Sequence, residues 1–310
     1  MIFNPAQTFK FHRAEDKEEK KLSKELMRAY LLTDKFAREA METLVTRFFR
    51  FTQRDLREWE EEPDEWEKGQ EGGGEDWEFS IRTCAEKLFL DLMINYKDLL
   101  VRPLLQVFET VASTGPFLPR PHFFVLTRLD VQNTDILQKD SIYAAIGLAA
   151  PVLERYTDFD FGSFLEHTLA QEVQMQLPGY NILRRRAAIV LGQWLPVKEG
   201  LNRTLVYQIF QHLLDVRDQS NDQIVRVTCG RQLKNVVDPF EFAAEEFMPF
   251  APAILDSIMT LVQEVELPET KMALLGTIGV IVTKMEQQAR LPLAQMRPFA
   301  NTLLVDYPVC

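Results

Sequence analysis

Residues 180–195 read YNILRRRAAIVLGQWL. Apolar side chains return every three or four positions, as one face of an α-helix requires. Ala187, Ala188 and Gly192 keep that face thin. Three more stretches follow the same plan: KDSIYAAIGLAAPVL (139–153), NDQIVRVTCGRQLKNVV (221–237) and ETKMALLGTIGVIVTKM (269–285). Their starts are offset by 41, 41 and 48 residues. Each opens on polar residues and then carries a small cluster: Ala144, Ala145 and Gly147; Thr228, Cys229 and Gly230; Ala273, Gly276 and Gly279. Small residues at a fixed place let a neighbouring helix approach closely.

A period of about 40–47 residues with two helices per unit is the HEAT type of α-solenoid, whose units bury their apolar faces only by stacking. The expected fold is all-α: a HEAT-repeat α-solenoid, a superhelical array of antiparallel helix pairs. Helices are predicted at about 138–153, 160–175, 180–195, 201–217, 222–237, 245–265, 268–286 and 291–305, with Pro178-Gly179, Pro196, Gly200, Pro239, Pro268 and Pro292 at the joints. Upstream, residues 1–54 read as HEAT-type helices and 79–112 as a helix pair, with an acidic loop at 55–78 between them. Residues 113–137, with three prolines between Pro116 and Pro121, read as an irregular connection before the array of 138–310. The chain still reads apolar at Phe299–Cys310, where a terminal repeat would be polar, so an array cut from a longer solenoid is expected.

The acidic stretch is DLREWEEEPDEWEKGQEGGGEDWE (55–78). Twelve carboxylates against Arg57 and Lys68 give it −10, beside −11 for the whole 310-residue chain. Pro63, Gly69 and Gly72–Gly74 argue for a loop with at most a short turn. Trp59, Trp66 and Trp77 are costly to leave in water, so they are expected to dock on the solenoid or on a partner.

No constellation for catalysis is found. The four histidines lie in separate segments, and Cys84, Cys229 and Cys310 form no C-x-x-C pair, so neither a metal site nor a disulfide framework is expected. Cys229 falls in a small-residue slot and reads as core. Gly72–Gly74 follow no strand and are flanked by acids, which excludes a phosphate cradle. The net negative charge argues against nucleic acid, and no run of about 18 apolar residues suggests membrane insertion. A cytosolic or nuclear protein is expected, without cofactor and monomeric. Three consecutive helical positions cannot share one docking face, so at least one of Arg184, Arg185 and Arg186 is expected to pair with a carboxylate of an adjacent repeat. Asp222 and Arg226, four apart, read as a helix-surface ion pair.

Five stretches carry a likeness to a known family: 55–66, EDWEFSIRTCAEKLFLDL (75–92), KDSIYAAIGL (139–148), LPGYNILRRRAAIVLGQWLP (177–196) and VRVTCGRQLKNVVDPFEF (225–242). They resemble the importin-β (karyopherin) family of nuclear transport receptors, most of all its importin-eleven branch and the fungal counterparts. The likeness covers most of residues 20–290; residues 113–135 depart from it, and Trp66 stands where the family usually has Tyr. The resemblance implies a non-catalytic import receptor that wraps basic protein cargo, is released by the GTP form of the small GTPase Ran, and meets Phe-Gly nucleoporins. It also implies shuttling between nucleus and cytoplasm through the pore of the nuclear envelope. By the same analogy Asp55, Glu58, Trp59, Glu60, Glu61, Glu62, Asp64, Glu65 and Trp66 are candidate contacts for Ran or cargo. A generic HEAT scaffold subunit of a multiprotein complex is the alternative.

Overall fold

A computed structural model of the protein describes residues 14–70, 80–112, 128–239 and 242–288, and every regular element among them is helical. The first half holds α1 (Ala14–Tyr30), α2 (Asp34–Thr43, continued by the π-helical turn Leu44–Phe48), α3 (Gln53–Glu61), α4 (Pro63–Gly69), α5 (Ile81–Asn95) and α6 (Lys97–Ala112). Then come α7 (Arg128–Leu148), α8 (Ala150–Leu153), α9 (Phe161–Phe164) and, through the π-helical turn Leu165–Leu169, α10 (Ala170–Glu172). The array closes with α11 (Tyr180–Trp194), α12 (Arg203–Leu214), α13 (Gln223–Val237), α14 (Ala244–Phe247), α15 (Ala251–Glu264) and α16 (Pro268–Gln288). Side-chain oxygens start several of them: Thr33 accepts from the Phe36 amide, Ser80 from Thr83, Asn202 from Leu205 and Asp222 from Val225.

Helices α7, α11, α13 and α16 lie side by side as one layer, backed by α6, α9–α10, α12 and α15 as the other. The small clusters set the spacing of the first layer. A Cβ on Gly147 would fall 2.0 Å from Gln193 Oε1, and one on Gly192 2.3 Å from Gln232 Oε1. Each glycine thus admits a side chain of the next helix in the layer. Gly276 and Gly279 meet nothing within 4 Å among the described residues, and the helix predicted at 291–305 lies outside them. One continuous apolar core runs from Ala37 to Met285. Within it, Trp194 stacks on Phe161 at 4.3 Å and donates Nε1 to the Ile146 carbonyl at 3.1 Å, which satisfies its polar end.

Two expectations are corrected. The supposed loop at 55–78 is helical through Gly69, because Thr52 and Asp55 form a capping box for α3 and Pro63 stands at the start of α4. A proline in the first helical turn has no amide bond to lose, and its fixed φ suits the position, so it begins a helix here. Residues 71–79, with the glycine triplet and Trp77, lie outside the described residues. The irregular connection predicted for 113–137 is shorter: α7 begins at Arg128, beyond the last proline of that segment, and 113–127 lie outside the described residues.

Candidate protein-interaction surface

Helices α3 and α4 stand in the chain between α2 and α5, which pack on each other, yet they reach far along the array. Trp59 and Trp66 face inward, 6% and 5% exposed, with ring centroids 4.7 Å apart and Phe51 closing the cluster 5.5 Å from Trp66. The Arg185 guanidinium of α11 sits 4.9 Å from the Trp66 ring centroid. Its Nε and Nη2 donate to Glu67 Oε2 at 3.3 and 3.2 Å, and Thr228 of α13 donates to Glu67 Oε1 at 2.8 Å. A buried carboxylate needs this saturation, because charge removed from water must be repaid by hydrogen bonds.

The remaining acids of this face meet helix starts. Asp64 accepts from Gln223 Nε2 at 3.0 Å and from the Glu266 amide at 2.7 Å, next to the openings of α13 and α16. The positive end of a helix dipole favours a carboxylate there. Trp59 Nε1 donates to Asp222 Oδ2 at 2.9 Å, which also accepts from Asn181 Nδ2 at 2.8 Å. Lys68 reaches Glu269 at 3.3 Å, and Asp55 accepts from Arg82 of α5 at 3.0 Å.

The candidate contact residues therefore divide. Trp59 and Trp66 are buried, so they hold the element down and present no face to a partner. Asp55 and Asp64 are half-buried in the bonds above. Glu58 is half-buried and pairs with Arg54 at 2.6 Å. Glu60, Glu61, Glu62 and Glu65 are exposed. Trp59 and Trp66 behave as expected in docking on the solenoid, and the polar anchor beside them is Glu67, which directly follows Trp66 and carries no distinguishing sequence signal.

The arginine triplet exceeds expectation, since all three members pair internally. Arg184 donates to Asp218 at 2.8 Å and Asn221 at 2.7 Å, towards the next unit. Arg186 donates to Asp140 of α7 at 2.7 Å, towards the preceding one. Burial alone would raise the Asp218 carboxyl, but the Ser220 amide and Arg184 outweigh it and hold it below the usual carboxylate range. The pair expected between Asp222 and Arg226 does not form. Asp222 is committed to the cap of α13 and to Trp59, and Arg226 turns to Glu264 at 2.6 Å.

His212 Nε2 lies 3.0 Å from the Val173 carbonyl oxygen, and His167 is exposed; His12 and His122 lie outside the described residues. Cys229 is core, as expected, and burial pushes its thiol up. Among the described residues no group of His, Cys, Asp and Glu is placed to hold a metal, and no helix is long and apolar enough to cross a membrane.

No family model matches the chain. Importin-11 of Mus musculus and of Homo sapiens are each 31% identical to it over 272 residues, covering 87% of this chain and 25% of theirs. The importin beta-like protein KAP120 of Saccharomyces cerevisiae is 28% identical over 266 residues, 84% of this chain and 23% of its own. Among solved structures, Lph2, a bidirectional nuclear transport receptor of S. cerevisiae, matches with a TM-score of 0.70 at 25% identity, over 89% of this chain and 26% of that one. Fold and sequence together place the chain among the helical solenoids of nuclear transport receptors. It is a homologue of importin-11 and of the fungal importin-β-like proteins, and it spans about a quarter of their length.

Proposed function

We propose that this chain is a non-catalytic segment of a nuclear import receptor, wrapping basic protein cargo and answering to the GTP form of Ran. The observation that carries the reading is the 31% identity with importin-11 across 87% of the chain. The exposed ridge of Glu60, Glu61, Glu62 and Glu65 supports it, being an acidic surface fixed on a rigid base by Trp59, Trp66 and Glu67. Fixed charge of one sign steers a basic partner and sets specificity more than raw affinity. The ridge, with Glu58 at its edge, is the contact we assign to Ran or cargo. Shuttling between nucleus and cytoplasm, and passage of the pore by Phe-Gly nucleoporins, belong to the same reading.

The test is capture of the receptor carrying this segment by Ran loaded with GTP or with GDP. Preference for GTP is the expected result; equal capture would favour a generic HEAT scaffold. In the same assay, reversing Glu60, Glu61 and Glu62 to Lys is expected to weaken Ran or basic-cargo binding by about fivefold or more at low salt, and by less at high salt as screening grows. Unchanged affinity would remove the ridge from the proposal.

A further inference from the structure

A cavity of about 560 Å³ opens between α4–α5 and the layer formed by α11, α13 and α16. Its size lies within the roughly 300–1,000 Å³ of small-molecule sites. In a chain of net charge −11, the cavity is lined with cations: Arg82 from α5, Arg185 and Arg186 from α11, Arg231 and Lys234 from α13. Glu67 and Glu86 are the carboxylates that face them across it. The four arginine side chains are only 6–11% exposed, so each is built into the wall.

Arg185 and Arg186 each keep donor capacity beyond their carboxylate partner. Arg185 gives its Nε and Nη2 to Glu67, and Arg186 gives the same two nitrogens to Asp140; neither Nη1 bonds to another described group. Arg82 Nε is buried without an acceptor. Asp55 and Asp140 hold Arg82 and Arg186 at the side, so five cations meet four carboxylates. One of those four, Glu86, is raised above the usual range by burial, against the pull of Arg186, Arg82 and Arg185. The cations converge on the cavity from three separate helices. A planar carboxylate engages one guanidinium fork, whereas a tetrahedral oxyanion offers oxygens in several directions at once.

We infer that this cavity binds a phosphoryl group, with Arg185, Arg186 and Arg231 as its donors and Lys234 at the rim. The group is carried by a small phosphorylated molecule or by a phosphorylated side chain of a bound protein. The inference stands apart from the transport reading, because it concerns a cationic cavity and not the acidic ridge.

Isothermal titration of the whole chain with inorganic pyrophosphate tests it. Saturable binding at one site is expected, weakened about tenfold or more by Arg231→Gln and about threefold by Lys234→Gln. Lys234 is exposed, so its variant folds and keeps the test decisive if Arg231→Gln does not. Arg217→Gln, at a side chain 87% exposed and remote from the cavity, is expected to leave binding unchanged. A second titration compares a phosphoserine peptide with its unphosphorylated form. Tighter binding of pyrophosphate marks a free ligand; tighter binding of the phosphopeptide marks a modified partner. Absence of saturable binding by both, equal loss in Arg217→Gln, or equal competition by a decaglutamate peptide would each overturn the inference.

Discussion

The layer of α7, α11, α13 and α16 and the acidic pair α3–α4 are built on opposite rules. In the layer each helix meets the next, glycine against side chain, and Arg184 and Arg186 tie α11 to residues 34–46 positions away. The acidic pair has no counterpart among the described residues, and it adds bonds between residues 118 to 202 positions apart. Repeats whose stability is a sum of nearest-neighbour contacts gain here a set of contacts between units that are not neighbours. Net charge is therefore a poor guide to exposure. Within a stretch of −10, Trp59, Trp66 and Glu67 lie inside, while Glu60, Glu61, Glu62 and Glu65 face water.

The strongest way to break the contrast is to remove the hydrophobic anchor. Trp66→Ala is expected to cost about 3–5 kcal/mol in chemical denaturation, the range for emptying a buried tryptophan site. Proteolysis at α3–α4 should accelerate, while protection of the α11–α13 layer from hydrogen exchange persists. If both regions loosen together, they form one cooperative unit and the contrast fails.

Next in size is the buried ion pair. Glu67→Gln is expected to cost about 3 kcal/mol, because the largely buried Arg185 charge loses its paired carboxylate. The double variant Glu67→Leu with Arg185→Met should recover most of that loss in the same denaturation assay. Equal losses in the single and double variants would mean that the pair contributes through geometry and not through charge.

The smallest effect sharpens the layer side. Asp218→Asn weakens the Arg184 bond and is expected to cost about 1–2 kcal/mol at neutral pH. The Asp218 carboxyl is depressed in the folded state. Its contribution is therefore complete above the unfolded value near 3.9 and is lost as pH falls through the folded value. Melting curves of the two proteins should converge below about pH 4, and a gap that held constant to pH 3 would contradict the assignment.

How far the sequence could be read depended on distance along the chain. Periodicity within 15 residues is sufficient for the helices of the layer, α11, α13 and α16 among them, and the 41-residue offset is sufficient for the stack, because both signals are local or repeated. Pro63 misled, since a proline breaks a helix or begins one according to the residues just before it, and the Thr52–Asp55 box lay eight residues back. Asp222 and Arg226 had the right spacing for a pair, but a cap and an indole claimed the carboxylate first. Nothing local to Glu67 announces Arg185, 118 positions away. Such a partnership is a property of the folded array alone.

The crossing of α3–α4 also has a mechanical meaning. A stack joined only at successive joints is a spring, and it flexes a little at every coil. A brace that leaves the coil of α2 and α5 and is fastened at α11, α13 and the opening of α16 stiffens all the coils between its ends. Elastic strain from any load on the spring then gathers beyond the brace, and the braced length turns as one rigid block.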